Sequence, residues 1–232
     1  MIIKDIKKKL DNREPLTNGE KMAYMNYAIT IHDENGKMAG NVSYSTSCLD
    51  NATCEKRSKN PDLICSKCYA RKDLKRKKTL REKMRYNTIF FTCYDLNIDC
   101  IPLLNYITCR FEAFGEIKNI QQVKNYYTIA RKNPDVYFVL WTKNAHIIAR
   151  AEKCGYIKPD NFRIIAGDPM INGITASETL SKYDFIEKVF SAYTKEYAEK
   201  HNIAINCSGK CNACNICYDP ENTTSYITEL IK

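Results

Sequence analysis

The chain has 232 residues, of which 44% are hydrophobic and 27% are charged, and its formal net charge is +9. This length fits one domain with a substantial hydrophobic core, and the composition excludes disordered and fibrous chains. The apolar run at residues 136–141 is far shorter than the roughly 20 residues of a membrane helix. Residues 1–16 carry too many charges for a signal peptide. We expect a single domain over residues 1–232, no membrane association and a cytoplasmic location.

The amino-terminal part of the chain is predicted to form short strands and turns. Residues 24–31 are rich in side chains that favour strands, and the sequence DENG at residues 33–36 is typical of a hairpin turn. A first cysteine loop follows at residues 43–70. The basic segment at residues 71–91 has helix-forming side chains and neither Gly nor Pro, which predicts one helix.

The middle of the chain, residues 106–206, alternates predicted strands with predicted helices. The strands are residues 106–113, 136–141, 162–166 and 203–206, and the helices are residues 120–132, 145–154 and 182–201. This alternation is typical of βαβ units with parallel pairing. We expect an α/β fold, either a partial βα barrel or an open parallel sheet, with cysteine-rich metal-binding loops at both ends.

Polar residues come directly after several predicted strands. Ligands of βα folds gather at the carboxyl ends of the strands, so Glu116, Asp168 and Lys143 are candidate catalytic residues. Asp168 could instead cap a helix, and Lys143 could instead be an exposed lysine that opens a helix.

The carboxyl-terminal cysteine loop, residues 207–218, carries Cys207, Cys211, Cys214 and Cys217 with gaps of three, two and two residues. Thiols in a reducing compartment are free or bound to metal rather than joined in disulfides. Successive short gaps are typical of loops that fold around a 4Fe–4S cluster. Zinc is the alternative metal, because four thiolates also form a tetrahedral zinc site.

The first cysteine loop carries Cys48, Cys54, Cys65 and Cys68 in a more open pattern. Cys65 and Cys68 have the two-residue gap of a metal-binding pair, and Cys54, Cys65 and Cys68 are the preferred ligands. Three thiolates would leave one iron open to a substrate or cofactor. The spacing permits one or two clusters, including one cluster shared by both cysteine groups.

Other residues of interest lie within predicted elements. Arg110 and Arg163 lie in strands, where each needs an anion or carboxylate partner, because a buried unpaired charge is costly. Free cysteine behaves as a small hydrophobe, so four further cysteines are predicted to be core residues: Cys93, Cys100, Cys109 and Cys154.

The positive charge is concentrated in one segment. Residues 71–85 contain nine Lys or Arg and only two acidic residues. Clustered cations bind phosphates through counterion release, which indicates a nucleic acid or nucleotide partner, with a solvated helix face as the alternative. The candidate nucleic-acid-binding residues are Arg76, Lys77, Lys78 and Arg81.

An ordered series of motifs runs through residues 43–218: CSKCYARK, MRYN, CRFEAFGEI, IARKNPDVYF, LWTK and KCNACNICY. At these motifs the sequence resembles the phage gene product 88 family. The CYA ending is also similar to that of radical S-adenosylmethionine-like phage proteins, whose family fold is a partial βα barrel. This similarity implies that Gly115 and Glu116 approach the methionyl amine of S-adenosylmethionine. The usual amino-terminal cysteine spacing of three then two residues is absent here.

Three functional classes follow from these features. The first is an iron–sulfur, radical S-adenosylmethionine-like phage or prophage enzyme that acts on a nucleic acid or nucleotide. The second is a non-enzymatic nucleic-acid-binding protein in which zinc or a cluster only stabilises the fold. The third is a barrel enzyme that modifies a nucleobase through carboxylates such as Asp168.

Overall fold

The computed structural model describes residues 3–32 and 36–231, which form a single mostly parallel sheet with helices packed against it. The helices are α1 (Ile3–Asn12), α2 (Asn18–Ala28), α3 (Ala52–Ser58), α4 (Tyr69–Arg76), α5 (Lys78–Cys93), α6 (Ile120–Lys132), α7 (Ala145–Lys153), α8 (Ala176–Lys182), α9 (Lys195–Lys200) and α10 (Cys211–Cys214). The strands are β1 (Thr30–Ile31), β2 (Val42–Tyr44), β3 (Thr108–Phe111), β4 (Tyr137–Thr142), β5 (Phe162–Ile171), β6 (Lys188–Tyr193) and β7 (Tyr226–Leu230). No described helix is long and apolar enough to span a membrane.

The strands lie in the sheet in the order in which they occur in the chain. β1 pairs antiparallel with β2, and from β2 to β7 each strand pairs parallel with the next. The predicted α/β fold with parallel pairing is confirmed, and in the described part of the chain β1 and β7 do not pair to close a barrel. Residues 33–35 of the predicted DENG turn lie outside the described residues.

One face of the sheet is covered by helices. Tyr44, Phe111, Phe138 and Phe162 are fully buried on this face, and the Phe111 ring stacks on Tyr126 of α6 with ring centroids 4.0 Å apart. Burial of each such side chain stabilises the fold by roughly 1.5–3 kcal/mol. This face therefore holds the main hydrophobic core.

The opposite face of the sheet is covered by the carboxyl-terminal cysteine loop. Val139, Trp141 and Ile165 lie on this face, and Tyr218 packs against them with its ring 5.4 Å from that of Trp141. Since side chains alternate between the two faces of a strand, β4 contributes side chains both to the main hydrophobic core and to the layer under the cysteine loop. The second cysteine group is thus built onto the sheet rather than onto the helices.

The strand-rich prediction for residues 24–31 is wrong for most of that segment. α2 continues to Ala28, and β1 has only two residues. Thr17 and Glu20 form a capping box at the start of α2, and Tyr24 and Ala28 are buried four residues apart, as on one helix face. Aromatic content favoured a strand, but the cap and the helical spacing stabilise a helix.

The single helix predicted over residues 71–91 is two helices. Lys77, whose backbone is extended, separates α4 from α5. The four consecutive cations at residues 75–78 disfavour a continuous helix, because like charges repel at helical spacing. The break allows Leu74 of α4 and Met84 of α5 to pack in the same apolar cluster beside the first cysteine loop.

Two predictions in the carboxyl-terminal half are wrong. The segment predicted as a helix over residues 182–201 contains β6 and α9, because KVFSAY supplies the aromatic and β-branched side chains of a strand. Residues 203–206, predicted as a strand, run beside β7 without forming one. β5 continues to Ile171, so Asp168 lies inside a strand rather than after it. The elements predicted between residues 106 and 154 are confirmed to within two residues.

Candidate metal centre

The first cysteine group lies in the loop that connects β2 to α4. Cys48 is in a single turn of 3-10 helix, Cys54 is on α3, and Cys65 and Cys68 lie at a second short turn just before α4. The Cys48 N–H donates to the carbonyl oxygen of Phe114 over 3.1 Å, which holds the loop against the segment after β3. Cys48 is buried and the other three thiols are half-buried.

The four thiols of the first group interact with one another. A hydrogen bond joins the side chains of Cys48 and Cys68, and it lowers the pKa of Cys68 while raising the pKa of Cys48. Burial raises the pKa of Cys54 and of Cys65, and Cys68 adds to both shifts. The structure therefore brings the predicted first-group ligands together, with Cys68 as the thiol that ionises most readily.

Glu116 lies beside these thiols and connects two strand ends. One carboxylate oxygen accepts hydrogen bonds from the Thr142 hydroxyl and, over 2.9 Å, from the Ile117 N–H, and the other accepts from the Lys143 N–H over 2.8 Å. After burial, Glu116 is the largest cause of the raised pKa of Cys54. Glu116 thus fixes the segment after β3 to the end of β4, next to the cysteines.

Lys143 follows β4 directly, as predicted, and its ammonium faces the first cysteine group. It acts to lower the pKa of Cys54, Cys65 and Cys68, against the effect of burial. A Cβ on Gly167 would lie 3.2 Å from the Lys143 Nζ, so the lysine also packs against β5. Among the described residues its Nζ has no hydrogen-bond or carboxylate partner, and it can meet an anion.

Arg71 is a second cation at the first group, two residues into α4. Its Nη2 pairs with the Glu55 carboxylate at 2.5 Å. The hydrogen bond to Cys68 is the main cause of the raised pKa of Cys48, and the positive charge of Arg71 acts to lower that pKa. Its Nη1 is buried and has no hydrogen-bond partner within the described ranges. A buried donor without an acceptor costs about 1–3 kcal/mol, so this N–H suits a partner that the protein itself does not supply.

Gly115 is required by close packing. A Cβ at this position would lie 2.2 Å from a carboxylate oxygen of Glu112, so no side chain fits. Glu112 is buried in a left-handed backbone conformation and accepts hydrogen bonds from Thr46, Gln122 and Tyr126. This packing accounts for the glycine, and the cofactor-binding role of Gly115 stays a prediction.

Asp168, which lies inside β5, binds the segment that leads from β5 to α8. One carboxylate oxygen accepts from the Met170 N–H over 2.9 Å and from the Thr175 hydroxyl over 2.7 Å, and the other accepts from the Thr175 N–H over 3.1 Å. Its carboxylate is buried and serves the local backbone. A catalytic role for Asp168 stays a prediction.

The second cysteine group is anchored at both ends of the sheet. The Cys207 N–H donates to the carbonyl oxygen of Thr228 in β7 over 2.9 Å, and the Cys211 N–H donates to the carbonyl oxygen of Lys37, near β1 and β2, over 2.8 Å. All four thiols of this group are half-buried. The loop therefore spans the face of the sheet from one edge to the other.

Two cations act on both Cys211 and Cys217, and Lys188 interacts with Cys217 as well. Burial raises the pKa of Cys211, and it raises the pKa of Cys217 to about 12. Lys37 and Arg110 oppose both shifts, whereas Cys207 adds to both. Three of the four predicted ligands thus interact with one another and with the same cations, and the fourth ends α10.

The two cysteine groups are adjacent. Cys211 packs against the apolar cluster that contains Met38 and Cys48, and also against the cluster that contains Val139 and Ile165. Across the described residues, no three Cys, His, Asp or Glu side chains form a group that could hold a metal ion. A 4Fe–4S cluster differs from a single zinc ion in that its four thiolates bind different iron atoms and lie further apart.

The remaining cysteines and the second strand arginine have ordinary structural positions. Arg163 donates to the carbonyl oxygens of Asp219 and Pro220, each over 2.8 Å, in place of the predicted anion or carboxylate. Cys100 and Cys109 are buried, as predicted. The core prediction is wrong for two cysteines that are exposed where helices end: Cys93 and Cys154.

The predicted nucleic-acid-binding residues form an exposed surface at the junction of α4 and α5. Arg76, Lys77, Lys78 and Arg81 are all exposed, and Arg76 pairs with Asp73 at 3.1 Å. The buried sides of the same two helices pack beside the first cysteine loop. The cationic surface and the first cysteine group are therefore neighbours.

Comparisons with protein-family models, curated proteins and solved structures find no match to this chain. The resemblance to the phage gene product 88 family thus depends on the sequence motifs alone. Sequence reasoning did not select Arg71, Glu112 or Lys37 as site residues. Arg71 and Glu112 lie inside the motifs CSKCYARK and CRFEAFGEI, and these motifs could have indicated them. Nothing in the sequence around Lys37 indicates a position near the second cysteine group.

Proposed function

We propose that this chain is an iron–sulfur protein with a partial βα barrel formed by β2 to β7, similar to radical S-adenosylmethionine enzymes and to the phage gene product 88 family. The first group holds a 4Fe–4S cluster through Cys54, Cys65 and Cys68, with Cys48 beside them. Three thiolate ligands would leave one iron of such a cluster open to S-adenosylmethionine. The substrate is a nucleic acid or nucleotide, held by the exposed cations of α4 and α5.

The proposal depends on the arrangement after the parallel strands β2, β3 and β4. The first-group thiols interact there with the Glu116 carboxylate and the Lys143 ammonium. Parallel α/β folds bind their ligands at the carboxyl ends of the strands. Thiols next to a carboxylate and a cation suit a metal-bound cofactor that has both an amine and a carboxylate group.

The donor set of the first group fits an iron–sulfur cluster. Thiolates are the usual ligands of such clusters, and the lowered pKa of Cys68 favours the thiolate form. Lys143 and the unpartnered Nη1 of Arg71 can offset the negative charge of the thiolates and donate to them. When bound, a cluster of this kind supplies single electrons for radical chemistry.

The chain's own residues bind and orient in this proposal. The Glu116 oxygen that accepts from the Lys143 N–H has a second lone pair, which can accept from an amine. The Lys143 ammonium can bind a carboxylate. Because Glu116 also holds the end of β4, the two groups keep a fixed distance from each other.

A non-enzymatic nucleic-acid-binding protein with structural zinc or a structural cluster is the second candidate. The exposed surface of Arg76, Lys77, Lys78 and Arg81 supports it. A nucleobase-modifying barrel enzyme that acts through Asp168 has less support, because both carboxylate oxygens of Asp168 already accept hydrogen bonds from the chain.

Anaerobic purification tests the proposal. We expect a brown protein that contains iron and acid-labile sulfide. Addition of S-adenosylmethionine to the reduced protein should change its electron paramagnetic resonance spectrum and release 5′-deoxyadenosine. Zinc without iron would support the binding-protein candidate, and full iron content without any response to S-adenosylmethionine would contradict the radical chemistry.

Matched cysteine variants assign the response to the first group. Cys65→Ser should lower the iron content and abolish the response to S-adenosylmethionine. Cys154→Ser replaces an exposed thiol outside both groups and should change neither quantity. A response that survives in Cys65→Ser would show that the cofactor binds elsewhere.

A further inference from the structure

Arg110 is a strand arginine without a carboxylate partner among the described residues. It lies in β3, and its guanidinium carbon is 4.1 Å from the centroid of the Trp141 ring. Its Nη1 donates to the Met38 sulfur over 3.3 Å, and a thioether is a weak acceptor. Its Nε–H is buried and donates to no acceptor among the described residues.

The stacking on Trp141 does not offset the burial of this charge. The attraction between a desolvated cation and an aromatic ring is weaker than the cost of burying a charge without a partner. A carboxylate partner would remove this cost, but Arg110 instead faces weak acids. Burial acts to lower the pKa of Arg110, but Tyr69, Tyr218 and Cys211 outweigh it and raise the value.

Lys37, a second cation at the second cysteine group, is already paired. Its Nζ lies 2.5 Å from a carboxylate oxygen of Glu229. The charges of Lys37 and Glu229 largely cancel, so the pair adds little net positive charge. Lys188 also interacts with Cys217, but its Nζ already donates to three oxygen atoms of Asn222 and Thr224. Arg110 is therefore the cation at this group that has neither a carboxylate partner nor strong acceptors for its N–H groups among the described residues.

We propose that Arg110 is the charge-compensating residue of a metal–thiolate centre formed by Cys207, Cys211, Cys214 and Cys217. The inference extends the proposed function, which assigns a cluster to the first group alone, and it requires that the second group also binds metal. Four thiolates carry more negative charge than a 4Fe–4S core or a zinc ion carries positive charge, so the centre is an anion. Arg110 stabilises it by its charge and by N–H groups that the chain leaves without strong acceptors.

Arg163 offers a matched comparison on the same face of the sheet. It is also a strand arginine beside an aromatic ring, that of Tyr137 at 5.4 Å. Both of its terminal nitrogens donate to main-chain carbonyl oxygens of Asp219 and Pro220. The Nε of Arg163 is also buried without a hydrogen-bond partner among the described residues, so the two arginines differ in their terminal nitrogens and in the cysteines that they face. Removal of Arg163 should destabilise the fold without removing a charge that faces Cys211.

The test measures metal release and reduction potential at the second group in a protein whose first group is disabled by Cys65→Ser and Cys68→Ser. In that background, Arg110→Met should release metal to a chelator about tenfold faster or more, as loss of an outer-shell partner does. For an iron–sulfur centre it should also lower the reduction potential, since reduction adds negative charge. Arg110→Lys should restore much of the slow metal release and of the reduction potential. Arg163→Met should lower the melting temperature and leave the other two quantities unchanged.

The outcomes separate this inference from the proposed function. Metal bound at the second group, with equal release rates in Arg110→Met and the parent, would overturn the role of Arg110 while the metal site stands. A parent that binds neither iron nor zinc at the second group would overturn the metal site itself. If Arg110→Met does not fold, the metal release rates of Arg110→Gln and Arg110→Lys are compared instead. Equal rates in these two variants would overturn the charge-compensating role of Arg110.

Discussion

The backbone of Gly115 lies directly against Thr46, so that a Cβ at position 115 would be 2.4 Å from the Thr46 hydroxyl and 2.6 Å from its carbonyl oxygen. Thr46 precedes Cys48 in the first cysteine loop, and Gly115 precedes Glu116 in the segment after β3. This contact sets the distance between the two segments that meet at the candidate metal centre.

Gly115→Ala should therefore lower the free energy of unfolding by about 1–3 kcal/mol, the usual cost of overpacking a buried site. Chemical denaturation measures this change. Gly19→Ala is the control, because nothing lies within 4 Å of a Cβ at that position in α2. The control should be neutral or stabilising by up to about 1 kcal/mol. Equal effects of the two substitutions would show that the contact with Thr46 is relaxed in solution.

Glu112 should make the stability of the protein depend on pH. Burial raises the pKa of Glu112 to about 7 from an ordinary value of 4.5, and hydrogen bonds from Tyr126 and Thr46 oppose the shift. Each of these hydroxyl groups can also accept a hydrogen bond from the protonated Glu112 carboxyl, so either protonation state is satisfied. The folded protein binds the proton more tightly than the unfolded chain. The stability gained from protonation is complete below pH 4.5 and is lost as the pH rises through about 7.

Glu112→Gln removes this titration, so the substitution should cost more stability at pH 5 than at pH 8. The difference between the two costs should be about 3 kcal/mol or less, given 1.36 kcal/mol per pKa unit. Denaturation of both proteins across this pH range measures it. A cost that does not change with pH would mean that Glu112 stays ionised in the folded protein.

Replacement of Cys211 or Cys214 by Ala should lower the metal content and the melting temperature together, because metal binding energy contributes to folding energy. Metal analysis and thermal denaturation of the same samples test this. Cys154→Ala, at an exposed thiol, should leave both quantities unchanged. Unchanged iron and zinc in both second-group variants would remove these cysteines from the ligand set.

Neutralisation of Arg76, Lys77, Lys78 and Arg81 to Gln should weaken nucleic-acid binding for all sequences alike. Each phosphate contact that is lost should reduce the salt dependence of the binding constant by about 0.9 in its logarithmic slope. Titrations at several salt concentrations measure the slope. The control replaces four exposed lysines elsewhere, Lys4, Lys8, Lys195 and Lys200, with the same change in net charge. Equal effects of the two sets would indicate net charge rather than a binding surface.

Local sequence patterns predicted the middle of the fold well and its two ends poorly. Between residues 106 and 154 each element buries one regular face, so periodicity is informative. At α2, the capping box of Thr17 and Glu20 was a readable signal that strand-favouring aromatic side chains obscured. β7 could not be predicted in this way, because pairing with β6 rather than local preference makes it a strand.

The residues of the candidate site were also predicted only in part from the sequence. The rule that ligands gather at strand ends selected Glu116 and Lys143 as candidates, and the structure places both beside the first cysteines, because neighbouring parallel strands bring their ends together. The contact between Cys211 and Lys37 joins opposite ends of the chain, and no local pattern specifies it. Partners of that kind require the tertiary structure.

The chain-ordered sheet also determines when each part of the protein can form during synthesis. Each strand from β2 to β6 can pair with its predecessor as soon as it leaves the ribosome, because strand order equals chain order. The face that carries Val139 and Ile165 stays open until Tyr218 and β7 arrive. The second cysteine group, which packs on that face, is therefore assembled only after most of the sheet has formed.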